Sequence, residues 1–272
     1  MRMINIICDS QNNEITPLAM KKIKEEGYDI DIWQFGTSDI DKEEKYFEEA
    51  CRALDGCSLV IIRVHAGLTY FKKFDRLKKR IVEEKVSLIV ESEMLQDIEE
   101  TRQFFKGSKD DYITIRSYIE LGGEDNEYNL LRWLLGKNDK IDINFDHPIR
   151  KPAQGLYYPK KGIVDSIETD SEKITIAVLF NQIDFVNDNL MHIDSLISCL
   201  ESKNANVLPV FMTSNPNDIT GSVGINGTVN RYLVLNGKTI PDSIILVLPF
   251  SQLCMSDPGD GSSRIVKNIF DE

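Results

Sequence analysis

The chain has 272 residues, 42% hydrophobic and 8% aromatic, which places it among globular proteins and excludes fibrous and disordered classes. Its 44 Asp and Glu outweigh 32 Lys and Arg, and a net charge of −12 argues against non-specific nucleic-acid binding. Apolar runs fall short of the roughly 20 residues of a membrane span, and five cysteines without a Cys-x-x-Cys pair predict free thiols in a reducing cytoplasm.

From the amino terminus, Met3–Cys8 reads as a short strand, too short for the apolar core of a signal peptide. Ile15, Leu18, Met20 and Ile23 predict a helix over Asn13–Glu26 that stops at Gly27. Alternation over Asp29–Phe35 predicts an outer strand, and Asp41–Leu54 a charged helix. The continuous aliphatic run Leu59–Val64 predicts a strand covered on both faces. A helix over Tyr70–Glu84, a strand over Ser87–Val90 and helices over Glu93–Phe105, Asp110–Leu121 and Asp125–Leu135 follow. This alternation predicts an α/β domain over residues 1–137 with an open parallel sheet.

Residues 138–172 carry Pro148, Pro152 and Pro159 and read as a surface connector with one short extended piece at most. A second α/β unit over 173–272 begins with a strand at Ile174–Phe180, a helix at Asn189–Lys203 and a strand at Val207–Met212. A polar loop over Thr213–Asn226, a helix to about Asn236, a strand over Ile244–Leu248, a loop over Ser251–Ser262 and a helix over Ser263–Phe270 complete it. A parallel sheet normally regains a strand after such a helix, so this second Rossmann-like unit reads as truncated at its carboxyl end.

Chemical motifs are sparse. Gly237-Lys238-Thr239 follows a predicted helix and lacks the first glycine of a phosphate loop, which leaves no ATP site. Gly221, Gly224 and Gly227 suit a flexible loop, and Asp257-Pro258-Gly259-Asp260-Gly261 a turn. The histidines, His65, His147 and His192, have no ligand-type partner at helical spacing, and Cys51 and Cys57 read as core thiols. No metal ligands and no catalytic group are therefore assigned. His65 follows a buried strand, where open α/β sheets hold their ligands; a hydrogen-bonded loop role is the alternative. His192 reads as structural. Phe71, Phe74, Leu77 and Ile81 sit at helical spacing in and beside the basic run Lys72–Arg80. Its cations form the solvated face of an amphipathic helix or a patch for a carboxylate-rich partner.

Four stretches together resemble one family. Residues 118–134, YIELGGEDNEYNLLRWL, are similar to the Gly-Gly-x-x-Asn-x-x-Asn-Leu-Leu pattern in the amino-terminal region of the cobaltochelatase large subunit (CobN type), shared with the magnesium chelatase H subunit family. The matching positions are Gly122, Gly123, Asn126, Asn129, Leu130 and Leu131, read as a structural, helix-capping motif. Residues 155–159 (GLYYP), 176–211 and 229–250 resemble its following segments in order and spacing. Tyr158 stands where the family has His, Asn181 and Gln182 where it commonly has Tyr-Arg, and Asp188-Asn189 where it has Gly-Asn.

The resemblance implies part of an ATP-dependent ligase that inserts Co2+, its substrate, into a corrinoid ring in cobalamin biosynthesis. ATP-Mg would be held by separate AAA-type subunits, and this piece would bind no cofactor of its own. It would help enclose the tetrapyrrole beside the remainder of the large subunit, and it would not be active alone. The expected ligand contacts are Asn181, Gln182, Asp184 and Asn189, with His65, Tyr157 and Tyr158 added. A stand-alone, non-enzymatic tetrapyrrole-binding or regulatory module and a magnesium chelatase subunit are the alternatives.

Overall fold

The computed structural model describes residues 1–8, 14–64, 67–92, 94–214, 216–218 and 220–248, and the backbone of 253–256 and 264–268. It is mixed α/β. The chain forms two compact units, Met1–Ile149 and Arg150–Glu272.

The first unit runs β1 (Arg2–Ile7), α1 (Ile15–Glu25), β2 (Asp31–Gly36), α2 (Thr37–Lys42), α3 (Glu44–Ala53), β3 (Leu59–Arg63), α4 (Phe74–Glu83), β4 (Ser87–Glu91), α5 (Leu95–Thr101), α6 (Lys109–Leu121) and α7 (Glu124–Asn138). Its four strands are all parallel, in the order β2-β1-β3-β4. The chain therefore reverses its direction of sheet growth between β1 and β3. Alternation within each strand divides the aliphatic residues between two faces. Ile4, Ile6, Val60, Ile62 and Leu88 pack with Ile40 of α2, Phe47 of α3 and Leu77 of α4. Met3, Leu59, Ile61 and Ile89 pack with Ile23 of α1, Tyr118 of α6 and Leu131 of α7. Each fully buried aliphatic side chain contributes about 1.5–3 kcal/mol of transfer free energy, so the aliphatic runs decide this architecture.

The amphipathic reading of α4 accounts for its cations. Phe74, Leu77 and Ile81 are buried, and Lys73 and Arg76 pair with Glu44 at 3.1 and 2.7 Å. These two cations hold the exposed Glu44 carboxyl down to about 2. Lys78 pairs with Asp75 and Arg80 with Glu83. Asp41 accepts from the amides of Lys72 and Lys73, both at 2.9 Å, just ahead of the helix.

Between α6 and α7, Gly122 and Gly123 take φ of +58° and +86°, a corner that side-chain-bearing residues adopt only with strain. The Asn126 amide donates to the carbonyls of Gly122 (2.7 Å) and Ile149 (2.8 Å), and its oxygen accepts from the Ile149 amide at 2.8 Å. Asn129 accepts from the Asp146 amide at 2.8 Å, and the Tyr118 hydroxyl donates to the Asp146 carbonyl. The extended segment after α7 is thus fastened to its own unit, with Ile143 buried in the core.

The second unit runs β5 (Gly155–Tyr158), β6 (Gly162–Val164), β7 (Thr175–Asn181), α8 (Gln182–Val186), α9 (Met191–Ser202), β8 (Asn206–Met212), the short pair β9 (Pro216–Asn217) and β10 (Ser222–Val223), α10 (Gly224–Tyr232), the short pair β11 (Val234–Leu235) and β12 (Lys238–Thr239), and β13 (Ser243–Val247). Its main sheet is ordered β13-β7-β8-β5-β6; β13, β7 and β8 are parallel, and β5-β6 adds as an antiparallel hairpin. Where a connector was expected, residues 155–164 therefore build sheet. Gly155 is required there because a Cβ would come within 2.9 Å of the Phe211 ring. The β5–β8 pairing ends at Leu156–Val210, next to Pro209, which has no N–H to offer a ladder.

Several expectations change. The loop over 213–226 contains β9 and β10, and α10 ends at Tyr232 instead of near Asn236. Asn236 and Gly237, at φ +53° and +75°, make the two-residue turn between β11 and β12. That geometry suits an Asn-Gly hairpin, with Gly237 in its turn and Lys238-Thr239 in its second strand. The helix expected over Ser263–Phe270 is instead a strand, β15 (Arg264–Asn268), antiparallel to β14 (Leu253–Ser256), which falls in the expected loop. The Asp257–Gly261 turn lies outside the described residues.

Candidate functional site

In the second unit, β7 carries Ala177–Phe180 fully buried and then delivers Asn181 and Gln182 at its carboxyl end. The Asn181 side chain caps α8 by accepting from the Ile183 amide at 3.2 Å, and Gln182 donates to the Pro152 carbonyl at 3.3 Å. The turn from α8 to α9 returns Asn189 to Asp184: its amide donates to the Asp184 carbonyl at 2.9 Å and its side chain to the carboxylate at 3.5 Å. Asp188 makes this turn with φ +55°. Burial pushes the Asp184 carboxyl above its ordinary value, against the opposing pull of His192 and Asn189. His192, read as structural from sequence, is exposed in the first turn of α9. Ile183 and Met191, 37% and 82% exposed, bring apolar surface to the same edge.

Asn181, Gln182, Asp184 and Asn189 therefore meet at one strand end. Tyr157 and Tyr158 are placed differently. The Tyr157 ring is buried against Phe180 and Phe185, and its hydroxyl donates to Asp194 at 2.7 Å. Burial and that carboxylate drive its pKa well above the ordinary phenol value. The Tyr158 hydroxyl donates to Glu201, near the carboxyl end of α9, at 2.7 Å. Tyr158 lines a solvent-open recess of about 620 Å3 with Lys161, Lys173, Glu201 and Asn206, at the amino-terminal end of β8. Tyr158 and the Asn181 cluster thus lie toward opposite ends of the sheet's strands. His65 lies outside the described residues.

The first unit holds a polar cluster that the sequence did not reveal. Asn5 of β1, fully buried, donates to Thr16 of α1 at 2.9 Å; Thr16 donates to Glu127 of α7 at 2.6 Å. Arg63, at the end of β3, donates to the other Glu127 oxygen at 2.7 Å and lies 3.8 Å from Glu91 at the end of β4. Burial opposes the charge of Arg63, yet Glu127 and Glu91 outweigh it and raise the pKa; burial raises that of Glu91 despite Arg63 and Arg116. No sequence spacing links these five residues, because they come from β1, α1, β3, β4 and α7. Among the described residues, no group of three or more His, Cys, Asp or Glu side chains could hold a metal ion.

Comparisons with known proteins agree with this architecture. The chain is 26% identical over 245 residues to an uncharacterised protein of Methanocaldococcus jannaschii, covering 86% of this chain and 19% of that one. A second uncharacterised protein of the same organism is 30% identical over 139 residues, covering 49% and 11%. The chain thus spans a fifth or less of the relatives it matches. Among solved structures, the catalytic subunit of cobaltochelatase from Mycobacterium tuberculosis superposes with a TM-score of 0.51 at 16% identity, over 90% of this chain and 18% of that one. At that identity the likeness speaks for the fold. A sequence model of the CobN/magnesium chelatase family matches residues 116–268, more than half of the chain, and on that match the chain belongs to the CobN/magnesium chelatase family.

Proposed function

We propose that this chain is the amino-terminal region of the large subunit of an ATP-dependent metal chelatase of the cobaltochelatase type, where it helps enclose the tetrapyrrole. The family match over residues 116–268 carries this reading. Metal insertion requires stripping water from Co2+, the substrate ion, removing protons from ring nitrogens and distorting the macrocycle. A subunit that closes around its substrate suits those steps, with AAA-type partner subunits supplying work from ATP.

Within this chain the carboxyl end of β7 is the contact edge. The amides of Gln182 and Asn189 and the carboxyl of Asp184 offer hydrogen bonds to polar ring substituents, beside the exposed Ile183 and Met191. Open α/β sheets hold ligands at this end of their strands. Tyr157 supports the edge from the core by orienting Asp194. Tyr158, held by Glu201 beside the amino-terminal end of β8, is not part of this edge.

Titration of the purified chain with a metal-free corrinoid and with a protoporphyrin, followed by visible absorbance, tests this. Saturable binding of the corrinoid in the micromolar range is expected, weakened about five- to tenfold by Gln182→Ala with Asn189→Ala. Preference for the porphyrin would point to the magnesium chelatase branch. Absence of a spectral change with either ring at about 100 μM would sink the reading.

A further inference from the structure

We propose that Arg63 is a pH-driven switch: it stays with Glu127 of α7 while Glu91 carries a proton, and turns to Glu91 when that proton leaves, which loosens α7 and the segment α7 fastens. The guanidinium lies between carboxylates on opposite sides. β3 runs between β1 and β4 in the sheet. Glu127 is tied toward β1, because its second oxygen accepts from the Thr16 hydroxyl, which in turn accepts from Asn5 of β1. Glu91 stands on β4, opposite Arg63 in the strand register and so on the same sheet face. Motion toward Glu91 is therefore motion away from Glu127.

One of the two bonds is made. Arg63 Nη2 donates to Glu127 at 2.7 Å, whereas Nε lies 3.8 Å from the Glu91 carboxylate, outside hydrogen-bond range. Arg63 is 9% exposed, and its buried Nε has no hydrogen-bond partner among the described residues. A buried donor without a partner is costly, which favours the turn as soon as Glu91 can reward it. Among the described residues, the charged groups facing Glu91 are Arg63, Glu127, and Arg116 and Glu120 of α6. Arg116 is engaged by the Val90 carbonyl at 2.9 Å and by Glu120 at 3.9 Å. Arg63 is thus the cation that can answer a new charge on Glu91. The Glu91 side chain is 27% exposed, which gives its proton a route to solvent.

The consequence is carried by α7. Glu127 sits between Asn126 and Asn129, whose side-chain oxygens accept from the amides of Ile149 and Asp146. Once Arg63 turns, Glu127 keeps Thr16 but loses its counter-charge in a nearly dry position, and the helix loses its charged tie to the sheet. The bonds made by the neighbouring asparagines are the first to feel it.

Nuclear magnetic resonance of the purified, nitrogen-15- and carbon-13-labelled chain, from about pH 4.5 to about pH 9, tests this across the range above the ordinary carboxyl value. The Arg63 Nε–H resonance should move downfield in step with the Glu91 carboxyl carbon. Over the same range, protection of the Asp146 and Ile149 amides, corrected for the intrinsic pH dependence of exchange, should fall at least about fivefold. Ile61, in the middle of β3, should keep its protection. Glu91→Gln should abolish both responses and hold the segment at its low-pH protection. An Nε–H resonance that stays fixed across the range, protection that is constant or falls equally at Ile61, or a pH response that survives in Glu91→Gln would each overturn the proposal. The wild-type titration decides by itself should the variant fail to fold.

Discussion

Arg63 keeps its charge in a nearly dry position because Glu127 and Glu91 share it. Removing one partner of such a pair leaves an uncompensated buried charge, which costs about 3–5 kcal/mol, whereas replacing both by apolar groups is close to neutral. Glu127→Ala should therefore lower the stability of the first unit by that amount, and Arg63→Met with Glu127→Leu should recover most of it. Urea unfolding followed by tryptophan fluorescence reads this unit directly, since Trp33 and Trp133 are the only tryptophans in the chain. A double variant as unstable as Glu127→Ala would refute the account. Glu91 gives the pH dependence. Its folded pKa is raised above the ordinary 4.5 by burial, so the native state holds the proton more tightly than the unfolded chain. The resulting stability is complete below about pH 4.5 and is lost as pH rises through the folded pKa. Glu91→Gln should flatten that decline; a constant offset between variant and wild type at pH 4 and pH 7 would contradict it.

At the scale of elements, Asn126 acts as a clasp. It satisfies both the N–H and the C=O of Ile149 and closes the α6–α7 corner at Gly122. Asn126→Ala should cost about 2–3 kcal/mol, since polar groups of a part-buried segment lose their partner. Amide exchange at Asp146 and Ile149 should speed up while that of β3 stays slow; uniform acceleration across the first unit would argue against a local clasp. The elements themselves were legible in the sequence wherever one physical pattern dominated. Aliphatic runs such as Leu59–Val64 and the apolar stripe of α4 marked buried strand and amphipathic helix. Short pieces were not legible: β5-β6 has too few residues to show alternation, and its pairing with β8 joins residues more than 50 apart. The meeting of Asn181, Gln182, Asp184 and Asn189 was reachable from sequence because they fall within nine residues at a strand end. The Arg63–Glu127 pair spans 64 residues and becomes visible only once α7 has packed on the sheet.

At the scale of the molecule, each unit owns its core. The first encloses its sheet between α2–α4 on one face and α1, α6 and α7 on the other; the second packs α8 and α9 against one face and α10 against the other. Among the described residues no helix is long and apolar enough to cross a membrane. Two separate cores predict two unfolding transitions instead of one cooperative step. Tryptophan fluorescence should follow the first unit alone, while far-UV circular dichroism averages both, so the two urea curves should not superimpose. Substitutions sort the transitions: Glu127→Ala should shift the fluorescence midpoint and the first unit's share of the dichroism curve, and leave the second unit's transition in place. Tyr157→Phe, which removes the bond to Asp194 from the second core, should shift only the other transition, by about 1 kcal/mol. Coincident curves that both variants displace together would mean that the chain unfolds as one cooperative body, and the two-core account would fall.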